Sequence, residues 1–448
     1  MSIERESLKF VIKSLVAKQR HKEAFSVIDH FFELAEDLAD YDALGEMSLI
    51  AKYYSMQLKC AIAAYTRAST SEELFSAREN LFKSYNTMNY PEKALFYIEQ
   101  NLRIKPDDFD LRSQKGFTLA LMGQRKESEE ILESLMAEDE KQREGLEFAL
   151  SGKAIREGHT AIGIKRFIAT FKPKNYLFED RLKLKLWDGA PQPGRTIVVN
   201  GEGGIGDELI NIRFFKNLED FGMKPILYSS WYQFRPDLVD LFRRHGYKVV
   251  TNSMFFHKDW LWTHMMPLPG YLGLTEAELW RGPYLTPKRD PKNKLDDTNF
   301  KIGIKCSGNP YFEQDVYRCI PIEEILAALP KGVSVYYFDK EHTHPDTISL
   351  KDKLETWDDT LDYIDQMDVI VSSCTSLVHA AGAMGKQTMV ITPIAEYYTW
   401  TSTRTDESTP WYGENFKLLK QQKLRSWKEP LARVSQLLEE LLKGNNSK

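Results

Sequence analysis

The stretch TIVVNGEGGIGDE, residues 196–208, joins an apolar run to a glycine-rich turn and an acidic helix start. The run Thr196–Asn200 is rich in β-branched residues and is typical of a buried strand. The glycines satisfy the spacing G-x-G-x-x-G from Gly201 onward, and a helix is expected over Asp207–Phe221. A strand, a glycine turn and a helix in this order predict the first unit of a parallel α/β sheet.

The glycine turn is a candidate ligand site. Gly203, Gly204 and Gly206 leave the backbone open to a ligand at the start of a helix, where Asp207 would face it. Alternatively, Asp207 only caps the helix, which is a common role for aspartate. A nicotinamide dinucleotide site would need an acidic residue at the end of the next strand. Residues 228–231 read YSSW, which weakens that interpretation.

The stretch VIVSSCTSLVHAAGAMGK, residues 369–386, repeats the order of strand, polar turn and helix. Thr375, Ser376 and His379 are expected in the first turn of this helix. Backbone N–H groups, two hydroxyls and an imidazole would then converge on one point, an arrangement that can hold a diphosphate. The alternative is an ordinary capped helix with a histidine in the core.

The stretch IGIKCSGNP, residues 302–310, leads from another strand into a polar turn. Lys305, Ser307 and Asn309 lie in it, and Arg318 follows in the next loop. Lys305 or Arg318 could neutralise phosphate charge, and either could equally be an ordinary surface cation.

Residues 1–175 differ from the rest of the chain because they predict helix after helix. A small residue that opens the second helix of each pair recurs at Ala24, Cys60, Ala94 and Ser128, in steps of 36, 34 and 34 residues. A period of about 34 residues is that of tetratricopeptide repeats, in which the small residue lets two helices cross closely. An irregular helical bundle is the alternative.

Beyond this region, prolines and glycines in residues 188–194 mark a linker, and short strands then alternate with helices. A polar break at Pro287–Asn299 divides the alternating part into two halves. We therefore predict a helical domain 1–175, α/β halves 195–290 and 300–430, and a closing helix with a tail, 431–448. Strands are predicted at Thr196–Asn200, Pro225–Ser229, Lys248–Thr251, Lys301–Lys305, Ser334–Phe338, Val369–Ser372 and Thr388–Ile391.

The overall composition is that of a globular protein. The 60 basic and 65 acidic residues give a net charge of -5, which does not favour bulk attraction to nucleic acid. No apolar run approaches the roughly 18 residues of a membrane span, and the charged N-terminal sequence lacks a secretory signal. The four cysteines show no CxxC spacing, so thiols of a cytoplasmic protein are expected, without a structural zinc site.

The three stretches resemble, in this order, those of the heptosyltransferase-like glycosyltransferases, a group similar to glycosyltransferase family 9. The segment Thr409–Tyr412, followed by Phe416, also resembles the end of that family's domain. The match covers about residues 195–430, and the chain is most similar to tetratricopeptide proteins that carry such a domain. The resemblance implies a GT-B fold of two Rossmann-like halves that transfers a sugar from a nucleotide sugar, without cofactor or metal and with inversion.

The resemblance also implies roles for individual residues. Asp207 would be the general base that deprotonates the acceptor. The donor diphosphate would be bound by Thr375, Ser376 and His379, helped by Ser307, Asn309 and either Lys305 or Arg318. Members of the family commonly have aspartate where this chain has Cys374, which implies a different donor sugar or a weakened enzyme. The partners implied are a nucleotide sugar and an acceptor protein, glycan or modified DNA.

Three other functions remain open on the sequence. The chain could be a repeat scaffold whose transferase-like part binds a ligand without turnover, which Cys374 favours. It could transfer a sugar to a modified nucleobase in DNA. A nicotinamide oxidoreductase is the third alternative, and the missing ribose-binding acid counts against it.

Overall fold

The computed structural model describes residues 5–169, 178, 182–229, 235–253, 256–312, 315–395 and 397–445. The chain divides into two compact units, Met1–Glu138 with Asn309–Arg318, and Asp139–Gly308 with Cys319–Lys448. Pro173, the predicted domain limit at residue 175 and the end of the predicted 431–448 segment lie outside the described residues. Within the described ranges, no helix has both the length and the apolar character needed to cross a membrane.

The first unit is built mainly of helices, each packed on the next along the chain. They are α1 Arg5–Ala17, α2 His21–Glu33, α3 Leu38–Ala51, α4 Tyr54–Arg67, α5 Ser71–Thr87, α6 Pro91–Leu102, α7 Phe109–Leu121 and α8 Arg125–Glu133. The four recurring small residues are all buried, as the close crossing of paired helices requires. The tetratricopeptide interpretation itself stays a prediction.

The segment Asn309–Arg318 also belongs to this helical unit, although in the sequence it follows a predicted strand of the α/β region. The ring of Tyr311 stacks on His21, with 4.0 Å between the ring centroids. The Tyr317 hydroxyl donates a hydrogen bond to the Asn86 carbonyl, and the Asn89 amide donates to the Val316 carbonyl at 3.3 Å. Aromatic and polar contacts together hold the segment on the helices.

The second unit begins with three further helices, α9 Glu140–Ala149, α10 Ser151–Arg156 and α11 Thr160–Ala169. The predicted helical region 1–175 therefore spans both units. Phe167 on α11 lies 5.2 Å from Tyr397 and 4.7 Å from Tyr398 between ring centroids. These contacts join α11 to the α/β part of the unit.

The first sheet of this unit is parallel, with strand order β1-β5-β2-β3-β4. Its strands are β1 Lys185–Leu186, β2 Thr196–Asn200, β3 Lys224–Tyr228, β4 Val249–Val250 and β5 Leu261–His264. Helices in the same region are α12 Ile205–Asn211, α13 Phe215–Asp220, α14 Pro236–Arg244 and α15 Leu268–Tyr271.

The second sheet is also parallel, with strand order β11-β10-β9-β6-β7-β8. Its strands are β6 Lys301–Lys305, β7 Ser334–Tyr337, β8 Ile348–Ser349, β9 Val369–Ser373, β10 Thr388–Thr392 and β11 Phe416–Lys420. The remaining helices are α16 Asp315–Arg318 in the helical unit, and α17 Ile322–Ala328, α18 Trp357–Gln366, α19 Ser376–Ala383 and α20 Lys428–Asn445 in the second unit. The predicted closing helix corresponds to α20, whose Val434 and Leu438 are fully buried.

The order of strands reverses within each sheet, between β2 and β5 in the first and between β6 and β9 in the second. This is the doubly wound Rossmann-like pattern, and ligands of such sheets bind at the carboxyl ends of the strands beside the reversal. The predicted alternation of parallel strands and helices is confirmed. The glycine turn follows β2, and the predicted diphosphate turn follows β9.

The predicted single helix Asp207–Phe221 is wrong, because a 3-10 turn separates α12 from α13 at Ile212–Phe214. Two side chains donate hydrogen bonds to backbone carbonyls that would accept from backbone N–H groups in a continuous helix. Asn211 donates to the Asp207 carbonyl at 2.9 Å, and the Arg213 guanidinium donates to the Ile210 carbonyl at 2.7 Å. Such local side-chain bonds compete with the helical pattern.

The polar break between the halves packs on helix α18. Asn293 donates hydrogen bonds to Asp359 at 2.8 Å and to Asp362 at 3.1 Å. Asp359 also caps α18 by accepting from the Thr356 N–H at 3.0 Å. The segment is thus fixed to the second half by buried carboxylates.

Replacement of Asp359 by asparagine is expected to lower the Tm at neutral pH by an amount that shrinks in acid. Burial raises the pKa of Asp359, but hydrogen bonds from Asn293, Thr356 and Lys292 outweigh it and hold the pKa at about 2. A depressed folded-state pKa gives stability that is present above about pH 4 and is lost as the pH falls toward 2, here about 2 kcal/mol. Thermal unfolding across this range measures the effect, and a pH-independent difference from the wild type would contradict it.

Candidate functional site

The glycine turn has a conformation that requires glycine. Gly203 has φ of +75°, and a Cβ there would lie 2.7 Å from Oδ2 of Asp207. Gly204 is the extended N-cap of α12, and its N–H donates to Asp207 Oδ2 at 2.7 Å. The turn therefore wraps tightly around one oxygen of the Asp207 carboxylate.

Asp207 caps its helix with one carboxylate oxygen and contacts the second half of the unit with the other. Its Oδ1 accepts a hydrogen bond from the Tyr397 hydroxyl at 3.2 Å. Burial raises the pKa of Asp207, while the Gly204 N–H and the Tyr397 hydroxyl act in the opposite direction. The capping role, left open by the sequence, thus describes only part of its environment.

Arg235 fixes the turn from the other side. Its guanidinium lies 3.2 Å from Oε1 of the buried Glu208 and donates to the Gly203 carbonyl at 3.1 Å. Burial raises the pKa of Glu208 to about 7 in spite of the nearby Arg235. This contact could not be predicted from the sequence, because nothing in the spacing of the three residues marks them as neighbours.

The glycine turn also carries Glu202, which pairs with His264 at the end of β5. Oε2 of Glu202 lies 2.7 Å from Nδ1 of His264, and Oε1 accepts from the Met266 N–H at 3.2 Å. Sequence reasoning did not identify this pair, because β5 was not among the predicted strands.

In the second half, β9 leads through Cys374 and Thr375 into α19. Thr375 is the extended N-cap, and its hydroxyl lies 3.4 Å from that of Ser372. Ser376 is the first residue of α19. The strand, polar turn and helix predicted for residues 369–386 are confirmed, and Thr375 and Ser376 occupy the helix start.

His379 is buried among aromatic residues. Its Nδ1 is hydrogen-bonded to the Tyr412 hydroxyl at 2.7 Å, and its ring stacks on Trp400 with 5.1 Å between centroids. Burial raises the pKa of Tyr412 well above its usual value, so the hydroxyl keeps its proton. Since Tyr412 occupies Nδ1, Nε2 is the nitrogen on the opposite side of the ring from this contact.

Helix α12 follows a strand of the first sheet and α19 follows a strand of the second, and the two helices pack on each other. A Cβ at Gly206 would lie 2.8 Å from Cδ2 and 3.5 Å from Nε2 of His379. The structure therefore brings the predicted base and the predicted phosphate-binding helix into one place. The imidazole of His379 itself fills the space against Gly206.

Replacement of Gly206 by alanine is expected to lower the free energy of unfolding by about 1–3 kcal/mol, because the added methyl group overlaps the His379 ring. Gly145→Ala on α9 is the matched control, since a Cβ there meets no atom within 4 Å. It should be neutral or stabilise by up to about 1 kcal/mol. Urea unfolding measures both, and equal stabilities for the two variants would contradict the close packing.

Lys305 is the last residue of β6, the other strand at the reversal of the second sheet, and Ser307 follows this strand. The Lys305 ammonium donates to Asp339 Oδ2 at 3.1 Å and to the Phe338 carbonyl at 3.1 Å. Its charge is therefore largely balanced by a buried carboxylate. The Lys305 carbonyl accepts from the Ser372 hydroxyl at 2.9 Å, which ties the ends of β6 and β9 together.

Asn309 and Arg318 belong to the helical unit. Asn309 Oδ1 accepts from the Tyr311 N–H at 3.0 Å. Arg318 donates to Asp315 Oδ1 at 2.8 Å and lies over the Phe312 ring at 5.0 Å. These contacts lie within the segment Asn309–Arg318, and the predicted role of both residues at the phosphates stays a prediction.

Among the described residues, no three histidine, cysteine, aspartate or glutamate side chains converge in a way that could hold a metal ion.

No model of a known protein family matches the chain, and no curated protein matches it by sequence. Solved structures that match include the iron-containing dodecameric glycosyltransferase TibC from enterotoxigenic Escherichia coli H10407, at 12% identity and a TM-score of 0.37, over 58% of this chain and 77% of that one. A glycosyl transferase of family 9 from Veillonella parvula DSM 2008 matches at 11% identity and a TM-score of 0.34, over 58% and 98% of the two chains.

A mutant O-GlcNAc transferase from Thermobaculum terrenum matches at 13% identity and a TM-score of 0.31, over 99% of this chain and 94% of that one. These three similar structures are therefore all glycosyltransferases.

Proposed function

We propose that this protein is a glycosyltransferase that moves a sugar from a nucleotide-diphosphate sugar to an acceptor hydroxyl. The proposal rests on one observation. Asp207, which follows the glycine turn of the first half, accepts a hydrogen bond from Tyr397 of the second half. Helix α12, which carries Asp207, also packs against α19, and the start of α19 is polar. A proton acceptor and a set of anion-binding donors on facing helices are the two parts that such a transfer needs.

Asp207 would act on the acceptor. A hydroxyl is a poor nucleophile until a carboxylate takes its proton as the oxygen attacks. Burial raises the pKa of Asp207, which makes the carboxylate a stronger base than an exposed aspartate. The acceptor oxygen bonds to the anomeric carbon from the face opposite the diphosphate, the bond to the diphosphate oxygen breaks, and the configuration inverts.

The start of α19 would act on the leaving group. The nucleoside diphosphate departs with the electron pair of the broken bond, so negative charge grows on its oxygens. The N–H groups at the helix start, the hydroxyls of Thr375 and Ser376 and Nε2 of His379 would stabilise that charge without a metal. We include Ser307 in this site and give Lys305 a supporting role, because Asp339 already balances its charge.

We propose that the N-terminal helices form a tetratricopeptide-like array that recruits the acceptor. The burial of Ala24, Cys60, Ala94 and Ser128 at about the repeat spacing supports this assignment. Repeat arrays commonly offer an extended surface to other molecules.

Release of nucleoside diphosphate tests the function. The protein is incubated with UDP-, GDP- and ADP-linked sugars, with and without an acceptor panel of glycerol, methyl glycosides and serine and threonine peptides, in the presence of EDTA. Release that depends on one class of donor supports the proposal. Tight binding of a nucleotide sugar without any release would instead favour a non-catalytic scaffold.

A further inference from the structure

The first sheet has its own strand reversal, and polar residues lie there that the proposed reaction does not yet use. β2 and β5 are neighbours, and their last residues, Asn200 and His264, are paired in register. The carboxyl ends of strands beside such a reversal are the usual ligand-binding edge of a parallel sheet. His264 therefore stands where a ligand of the first half would be bound.

Glu202 fixes the orientation of His264. The carboxylate lies 2.7 Å from Nδ1, and since a carboxylate only accepts hydrogen bonds, Nδ1 carries the hydrogen. Glu202 is itself held by the Met266 N–H at 3.2 Å. The Asn200 amide nitrogen also lies 3.4 Å from Nδ1. The contacts of the ring nitrogens among the described residues thus fall on Nδ1, which leaves Nε2 as the nitrogen that a ligand could engage.

Nε2 of His264 has no hydrogen-bond partner among the residues that the structure describes, although His264 is only 7% exposed. Buried polar atoms nearly always have a partner. Two further buried polar atoms also lack a partner among the described residues: Oγ of Ser229, which directly follows β3, and Nε1 of Trp262, which lies two residues before the end of β5. Trp262 and His264 lie on one face of β5, with 4.9 Å between their ring centroids.

The pair is also electrostatically linked to Asp207. The Glu202 charge adds to the main effect of burial in raising the pKa of Asp207. Glu202, Asp207 and His264 therefore belong to one polar region around the glycine turn.

We infer that Nε2 of His264 binds the acceptor of the proposed transferase by accepting a hydrogen bond from one of its hydroxyl groups. This inference rests on the proposed function. A hydroxyl-bearing molecule fits this position because its O–H group can donate a hydrogen bond to Nε2. Asp207 keeps its role as proton acceptor, and His264 determines acceptor affinity.

The test compares two replacements of His264 with a matched control. His264→Asn keeps an amide near the position of Nδ1, where it can still donate to Glu202, but removes Nε2. His264→Gln is the second variant and brings an amide toward the position of Nε2. The control is His257→Gln, because His257 forms an exposed pair with Asp259 at 3.2 Å in the same half of the chain.

Steady-state kinetics with the best donor and acceptor of the panel gives separate KM values for each, and nucleoside diphosphate release without acceptor reports the donor side alone. We expect His264→Asn to raise the acceptor KM about tenfold or more, and His264→Gln to raise it less. All variants should keep the donor KM and the acceptor-free release of the wild type. An acceptor KM unchanged in His264→Asn, or an equal loss on the donor side, would overturn the inference and leave the proposed function standing. A wild type that releases no diphosphate would overturn the proposed function itself.

Discussion

Replacement of Asp207 by asparagine is expected to reduce sugar transfer about 100-fold or more, while donor binding stays within a factor of about two. The amide has the shape of the carboxylate and can still accept from the Gly204 N–H, which now lies 2.7 Å from Oδ2. It cannot take a proton from an acceptor hydroxyl. Transfer rates and calorimetric binding of the nucleoside diphosphate measure the two effects separately.

The control for this replacement is Asp359→Asn. Asp359 occupies the same position in the first turn of α18, where it accepts from the Thr356 N–H at 3.0 Å. If Asp207 served only as a cap, both variants would lose stability and keep their activity. The catalytic assignment predicts instead that Asp359→Asn loses stability alone, and Asp207→Asn with wild-type transfer would remove Asp207 as the base.

Replacement of His379 by asparagine is expected to weaken binding of the nucleoside diphosphate about 10-fold to 100-fold, because a hydrogen bond to a charged group contributes roughly 1.5–3 kcal/mol. The asparagine amide can take the place of Nδ1 beside the Tyr412 hydroxyl, which lies 2.7 Å away, and it lacks a counterpart of Nε2. His379→Gln extends an amide toward the position of Nε2 and should recover part of the affinity. Isothermal titration calorimetry measures the affinities.

His245→Ala is the control for the histidine replacements. His245 is a structural histidine, with Nδ1 2.9 Å from the Leu241 carbonyl and Nε2 accepting from the Thr286 N–H at 2.8 Å. Its loss should lower stability without a change in donor affinity. Equal donor affinities for His379→Asn and His379→Gln, both at the wild-type value, would contradict the diphosphate role of Nε2.

The sequence predicted strands whose central residues are mostly apolar and missed β5, which is more polar. Val369–Ser373 is buried along its length and Lys301–Lys305 at its three central residues, and both strands appear at or within a residue of their predicted bounds. β5 reads LWTH and carries two polar residues, so no apolar run marks it, although all four residues are buried. Its burial comes from neighbours that local periodicity does not reveal.

The sequence identified the elements that carry the site better than the contacts that complete it. The glycine turn and the start of α19 are local motifs and could be read directly. The hydrogen bond between Tyr397 and Asp207 joins residues 190 positions apart, and the contact between Arg235 and Glu208 joins residues 27 apart. The packing of the two halves brings Tyr397 to Asp207, and the fold of the first half brings Arg235 to Glu208.

The two candidate phosphate cations show the same limit. Arg318 pairs with Asp315 three residues earlier, a helical spacing that the sequence could have revealed. Lys305 pairs with Asp339 because β6 and β7 are adjacent, which depends on the strand order of the sheet. Charge alone therefore did not identify which cations are available to a phosphate.

Mass spectrometry of the acceptor panel, after incubation with pooled nucleotide sugars and either the wild type or Asp207→Asn, tests glycosyl transfer most directly. We predict that the wild type adds the mass of one sugar residue to an acceptor and releases one nucleoside diphosphate for each, and that the variant does neither at a comparable rate. No mass increase with any donor, or the same increase with both proteins, would contradict the proposed chemistry.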